Sequence, residues 1–250
     1  MMELFDISGK IALVTGASSG LGRMVATTLA QSGAQVVGLA RRADALEDWA
    51  NETQGDTAIL AADLSDRDSI PAIAASAAEF FGAPDILINA AGINKRESAD
   101  EVTQSGWDVT LLLNLTIPFF LAQALVPAMK IKKWGRIVNF ASLQSRRAFP
   151  SGIAYGASKG GVEQMTRAMA EAWSKDGIMA NALAPGFFPT QLTKAVFDDD
   201  ARSNANAQQT CIGRNGALSD INGPLLFLCS NAASYVTGQT LFVDGGFTAK

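Results

Sequence analysis

The sequence predicts an α/β fold: a doubly wound sheet of seven parallel strands flanked by helices. Short apolar runs rich in Val, Ile and Leu alternate with longer segments of helical period, the connections between them are short, and Gly, Pro or Asp follows most of the runs. Such alternation puts helices on both faces of a parallel sheet, and right-handed crossovers then wind the sheet both ways from its middle. With 48% apolar and 18% charged residues, 250 residues suffice for one large core and do not require a second domain.

The first strand, 11–15, runs into Gly16-Ala17-Ser18-Ser19-Gly20-Leu21-Gly22 and then a helix over 24–31. Glycines let the backbone approach a pyrophosphate closely, and the helix N-terminus offers free N–H groups and the positive end of a dipole. Gly16, Ser18, Ser19, Gly20, Leu21 and Gly22 are therefore phosphate-binding candidates. The second strand, 35–40, ends at Arg41-Arg42, where a dinucleotide fold reads the ribose. An acid there accepts from a 2′-hydroxyl, whereas arginine suits a 2′-phosphate. The arginines favour NADP(H), and Asp44 nearby leaves NAD(H) open.

A helix over 43–51 leads to a third strand, 57–61, which runs into Asp63 and Leu64. Apolar and small residues at helical spacing mark a helix over 70–81, and a fourth strand, 85–89, runs into Ala90-Ala91-Gly92. Ligands gather beyond the carboxyl ends of strands in such a sheet, so Asp63, Leu64, Asn89, Ala91 and Gly92 join the cofactor candidates. Beyond the loop Asn94-Lys95-Arg96-Glu97, a helix runs from about 100 to 114 and a second covers 118–130. The second is apolar on most faces, which suits burial or a subunit contact.

Ser142 lies just past the fifth strand, 135–140, and a helix beginning near Tyr155 continues to Lys175. Tyr155 and Lys159 share a helix face. An ammonium beside a phenol favours the phenolate, pulling Tyr155 below its ordinary pKa of about 10 and making it a candidate general acid/base. The chain has no histidine, so acid/base chemistry must use another residue. Pro185-Gly186 closes a sixth strand, 178–183. The segment 187–210 has no clear apolar period and reads as a mobile flap over a site. A helix over 218–230 and a seventh strand, 240–243, complete the pattern.

Twenty basic and twenty-four acidic residues leave a formal charge of −4, so no overall positive field recruits nucleic acid or an anionic membrane. Cys211 and Cys229 lack a CxxC neighbour, which suggests neither a disulfide framework nor a metal site. No basic region precedes an apolar stretch at the N-terminus, and no apolar run reaches about eighteen residues. The expectation is a soluble, cytoplasmic protein.

Taken together these motifs resemble the short-chain dehydrogenase/reductase family over the whole chain. Residues 15–22 stand as its TGxxxGxG, Asn89-Ala90-Ala91-Gly92 as its NNAG with Ala90 in place of the second Asn, and Tyr155 with Lys159 as its YxxxK. Asn114 and Ser142 fall where the rest of the catalytic tetrad falls, and Pro185-Gly186 with Phe188 and Thr190 resembles the nicotinamide-contacting segment. The resemblance implies a single Rossmann-fold domain over 1–250, a homotetramer paired through the helices at 118–130 and 160–175, and hydride transfer between a nicotinamide and a carbinol carbon. It also implies roles: Tyr155 exchanges the substrate proton, Ser142 hydrogen-bonds the same oxygen, Lys159 lowers the Tyr155 pKa and holds the ribose hydroxyls, and Asn114 positions a water.

Within the family, 92–97, 142–145 and 185–190 are similar to gluconate 5-dehydrogenases, also called 5-ketogluconate reductases, and related sugar-acid oxidoreductases. That similarity implies a small sugar acid, polyol or ketone as substrate. Lys95, Arg96 and Arg146 or Arg147 are candidates to meet a carboxylate, and Gln144 to meet hydroxyls beside Ser142 and Tyr155. A 3-oxoacyl-carrier-protein reductase shares fold, tetrad and cofactor loop and is the alternative enzyme. A nucleotide-sensing regulator without turnover is the alternative of another class, and its mark would be a broken tetrad.

Overall fold

Along β1 (Ile11–Thr15), Ala12 and Val14 pack into one core cluster and Leu13 into another, and all five residues are buried. That is the period of two expected of a strand covered on both faces. In the computed structural model, which describes residues 2–250, the same alternation recurs in β2 (Gln35–Ala40) and β4 (Ile86–Asn89). With β3 (Thr57–Ala61), β5 (Gly135–Phe140), β6 (Ile178–Pro185) and β7 (Thr240–Val243) they form one seven-stranded sheet. Its order is β3-β2-β1-β4-β5-β6-β7, and every pairing is parallel. The chain winds one way from β1 to β3 and the other way from β4 to β7, so a crevice opens at the carboxyl ends of β1 and β4, where Thr15 pairs with Asn89.

One face is covered by α1 (Gly20–Gln31), α2 (Ala43–Glu52) and α9 (Asn222–Cys229), which bury Val25, Leu29, Leu46, Trp49, Leu225 and Leu228. The other is covered by α3 (Ile70–Phe81), α5 (Ile117–Lys132) and α6 (Ile153–Trp173), through Ile73, Ala77, Leu121, Leu125, Met129 and Met169. Full burial of a Leu, Ile or Met contributes roughly 1.5–3 kcal/mol, so these two layers hold the sheet rigid beneath the site.

Three elements differ from the sequence expectation. Helix α4 (Gln104–Leu111) passes through a π-helical turn, Leu112–Thr116, straight into α5, where two separate helices were expected. Pro118 has no N–H to donate and sits in the first turn after the π segment, where the wider register accommodates it. The joined stretch Gln104–Lys132 is long and apolar enough to cross a membrane, contrary to the expectation from uninterrupted runs, but Leu121, Leu125 and Met129 pack it on the sheet. The expected mobile flap instead carries α7 (Lys194–Phe197) and α8 (Asp200–Gln209). Helix α8 buries none of its residues. Asp199 caps it by accepting from the Arg202 N–H at 3.1 Å, and Lys194 pairs with Asp198 at 2.6 Å, so local polar contacts replace the apolar stripe that reveals a helix in sequence. Finally, α1 begins at Gly20 rather than 24, which brings its N-terminus into the glycine turn.

Candidate active site

The crevice widens into a cavity of about 780 Å³ running from the end of β2 to the α7–α8 segment. At one end Gly16 adopts φ +75°, and a Cβ there would stand 3.0 Å from the Ala91 backbone. Gly22 is tighter still: its Cβ would meet the Gly16 carbonyl oxygen at 2.3 Å. Ser19, the N-cap, accepts no side-chain bond from the first turn of α1, leaving the leading N–H groups to a ligand. Thr15 Oγ1 accepts from the N–H groups of Ala90 and Ala91 at 3.1 and 3.0 Å, so the departure at Ala90 removes nothing from this junction, which uses backbone only. A cradle that a single methyl group would fill fits the pyrophosphate of a dinucleotide.

Arg41 and Arg42 are exposed at the rim, and Arg42 donates to Ser18 Oγ at 3.1 Å. The Ser65 N–H and hydroxyl hold Asp63 below the usual carboxylate range, with help from the Arg41 charge. Leu64, Ala91, Gly92, Pro185, Gly186, Phe188 and Thr190 all line the cavity. Asn89 does not. It lies behind the wall and donates to Asn139 Oδ1 at 2.8 Å and to the Pro118 carbonyl at 3.3 Å, tying β4 to β5 and α5.

Ser142, Tyr155 and Lys159 meet on one wall. Ser142 leads a 3-10 turn, Leu143–Ser145, and its Oγ accepts from the Gln144 N–H at 3.1 Å. Two contacts fasten that turn to α6. Ser145 Oγ donates to the Lys159 carbonyl at 2.8 Å, and Arg146 donates to the buried Glu163 carboxylate at 2.7 Å, which also accepts from Arg167 at 2.6 Å. The serine turn and the Tyr155–Lys159 helix therefore move as one body.

The electrostatics differ from the sequence expectation. Tyr155 is partly exposed as a residue, yet its phenol is desolvated, and burial pushes its pKa up, opposed by Ser142 and by the Arg96 charge. Burial also pushes the Lys159 ammonium down, to about 8. Its Nζ donates to the Phe140 carbonyl at 2.5 Å and stands 5.6 Å from the Tyr155 ring centre. Lys159 thus does not drag the phenol below its ordinary value, because withdrawal from water disfavours the charged form of both groups. Asn114 is placed by the π turn and is buried behind the wall: its Oδ1 accepts from the Ile93 N–H at 2.9 Å, and its Nδ2 donates to the Ile93 carbonyl and to Ser158. The side chain anchors the loop leading out of Gly92.

Among the expected substrate contacts, Ser142, Gln144, Tyr155 and Arg96 line the cavity, and Lys95 and Arg147 do not. Asn94 Oδ1 accepts from the Arg96 N–H at 3.2 Å, and Arg96 takes φ +55°, a tight turn that brings Arg96 to the cavity while Lys95 stays off it, both residues being exposed. Arg147 faces the C-terminus, its Nη1 donating to the Lys250 carbonyl at 3.5 Å and its guanidinium 5.8 Å from the Phe247 ring. Arg146 is taken by Glu163. Among the wall residues that escaped the sequence reading are Phe149 and Phe187, whose rings meet at 6.0 Å, and Arg202 and Asn206 of α8. The i, i+4 spacing of Arg202 and Asn206 was the only available signal.

The chain matches the family model described as enoyl-(acyl carrier protein) reductase over residues 16–248. It is 39% identical to a gluconate 5-dehydrogenase of Gluconobacter oxydans over 98% of this chain and 97% of the relative. It is 38% identical to a 2-dehydro-3-deoxy-D-gluconate 5-dehydrogenase of Escherichia coli over the full length of both. The crystal structure of a gluconate 5-dehydrogenase from Burkholderia cenocepacia, in complex with NADP and tartrate, superposes with a TM-score of 0.92 at 36% identity, covering 100% of this chain and 99% of that one.

Proposed function

We propose that this chain, which belongs to the short-chain dehydrogenase/reductase family, is a single-domain oxidoreductase that interconverts a secondary alcohol and a ketone on a small sugar acid, with NADP(H). The observation that carries the reading is the convergence of Ser142, Tyr155 and Lys159 on one wall of a cavity whose far end is a glycine cradle at a helix N-terminus. The sugar-acid relatives, one of them bound to NADP and tartrate, support the substrate class.

When bound, the nicotinamide supplies or accepts the hydride. Gly16, Gly22 and the first turn of α1 hold its pyrophosphate, Arg41 and Arg42 meet a 2′-phosphate, and Lys159 faces the ribose. Tyr155 holds its proton at neutral pH, because burial raises its pKa, and in ketone reduction it donates that proton to the substrate oxygen. In alcohol oxidation the deprotonated Tyr155 oxygen takes the proton from the substrate hydroxyl. Ser142 donates to the substrate oxygen and fixes its place. Gln144 lies beside it, and Phe149 with Phe187 excludes water from the adjoining wall.

A panel of ketoses, keto-acids and polyols, run with both nicotinamide cofactors and followed at the nicotinamide absorbance band, tests the reading. Turnover of 5-ketogluconate or a related sugar acid is expected, and turnover of acetoacetyl thioester alone would replace it with the acyl-carrier alternative. Alanine at both Arg41 and Arg42 is expected to raise the NADPH Michaelis constant by about tenfold or more, and that for NADH much less, since each lost charged hydrogen bond is worth roughly 1.5–3 kcal/mol. Equal effects on the two cofactors would remove the arginines from 2′-phosphate recognition. The reading also includes a cytoplasmic homotetramer, supported by the partly exposed aromatic face where Phe119 of α5 stacks on Trp173 of α6 at 6.4 Å. Sedimentation as a monomer at micromolar concentration would refute the assembly.

A further inference from the structure

The ionisable side chains that line the cavity, Tyr155 apart, are Arg41, Arg42, Asp63, Arg96, Lys159 and Arg202. Five are cations in a chain whose formal charge is −4. Asp63, the single carboxylate among them, sits beyond β3 within reach of the Arg41 charge, at the cofactor end. The catalytic half of the cavity thus has cations on its walls and no carboxylate among its lining residues. Arg41, Arg42 and Lys159 have partners in the proposed cofactor. Arg96 and Arg202 do not.

Asp199 pairs with Arg202, yet the local structure leaves donors of both guanidinium groups free among the described residues. Asp199 accepts from the Arg202 backbone N–H through Oδ1 and from Nε through Oδ2, each at 3.1 Å. That grip holds the back edge of the guanidinium, and its two terminal amino groups have no partner among the described residues. Arg96 donates from Nη2 to the Leu192 carbonyl at 2.8 Å, which ties the β4 loop to the segment carrying α7 and α8, and its Nη1 has no described partner. Asn206, one turn beyond Arg202, adds an amide to the same wall. Two guanidinium forks facing one space, with a polar amide beside them, suit a carboxylate, which accepts paired N–H bonds.

The geometry points to Arg202 as a specificity-determining residue that binds the substrate carboxylate together with Arg96, so that α8 selects acids over neutral polyols. The inference rests on reading the cavity as the redox site for a sugar acid. It places the carboxylate at the α8 end and leaves the reacting carbon to Ser142 and Tyr155.

The test is calorimetric titration of the NADPH-loaded full chain with D-gluconate, using D-sorbitol as the uncharged control, in the wild type, Arg202→Ala and Arg202→Lys. Arg202→Ala is expected to weaken gluconate binding by about tenfold or more, with Arg202→Lys retaining part of it. Sorbitol and NADPH affinities are expected to stay unchanged. Wild-type affinity for gluconate in Arg202→Ala overturns the assignment, as does an equal loss for sorbitol. A wild type that binds none of gluconate, 5-ketogluconate and tartrate at millimolar concentration overturns it too. Binding without turnover of any sugar acid would defeat the proposed reaction and leave the Arg202 assignment standing. Sugar-acid turnover with an unchanged KM in Arg202→Ala would do the reverse.

Discussion

Tyr155→Phe is expected to lower kcat by about 10²- to 10⁴-fold, the usual contribution of a positioned acid or base, while NADPH affinity holds. The substitution removes one hydroxyl and keeps the ring, so packing beside Ser142 changes little and the loss reports chemistry. The pH dependence has a definite sign. Burial raises the phenol pKa, so the protonated form dominates at neutral pH. Ketone reduction, which needs that proton, should run well at neutral pH and fall only on the far alkaline side. Alcohol oxidation, which needs the phenol able to receive a proton, should rise as the pH increases. Lys159 releases its own proton near pH 8, so the ligand-free protein should show a titration there that Lys159→Met abolishes. Wild-type kcat in Tyr155→Phe, with the chemical step rate-limiting, would exclude the proton-transfer role.

Gly22→Ala is expected to be the most damaging single methyl group in the cofactor end. The added Cβ meets the Gly16 carbonyl oxygen at 2.3 Å and its carbon at 2.7 Å, and neither is the end of a flexible side chain. The turn must open. Overpacking of this kind costs about 1–3 kcal/mol, which in a chain of this length lowers Tm by roughly 2–4 °C per kcal/mol. Displacing the first turn of α1 also re-aims the N–H groups proposed to meet the pyrophosphate, so NADPH affinity should fall about tenfold or more. Gly223→Ala in α9 is the control, because its Cβ enters open space. Thermal melts and NADPH titration check both, and an unchanged NADPH affinity in Gly22→Ala would remove this turn from the cofactor site.

The two halves of the site were unequally legible. The glycine turn and the Tyr155–Lys159 pair are local: their placement follows from spacing along one strand–turn–helix unit or one helix face. The rest of the site is assembled from the β4 loop, the turn after β5 and α7–α8, and only folding brings these together. Helix α8 escaped because an exposed helix held by a cap and local ion pairs has no apolar period to show. Arg96 and Lys95 are neighbours with the same charge, and nothing in their order says which lines the cavity; the Asn94 turn and the bond to Leu192 decide it.

By itself the sequence determined the seven strands, the helices that cover them, the glycine turn and the shared face of Tyr155 and Lys159, because periods of two and 3.6 and the glycine spacing are properties of neighbouring residues. Tertiary structure alone decided that Arg96 and Arg202 reach the cavity while Lys95 and Arg147 do not. It also decided that Asn89 and Asn114 serve behind the wall, and that the phenol pKa rises while the ammonium falls to about 8. Desolvation and the approach of distant segments set these properties, and both come into existence only when the chain has packed.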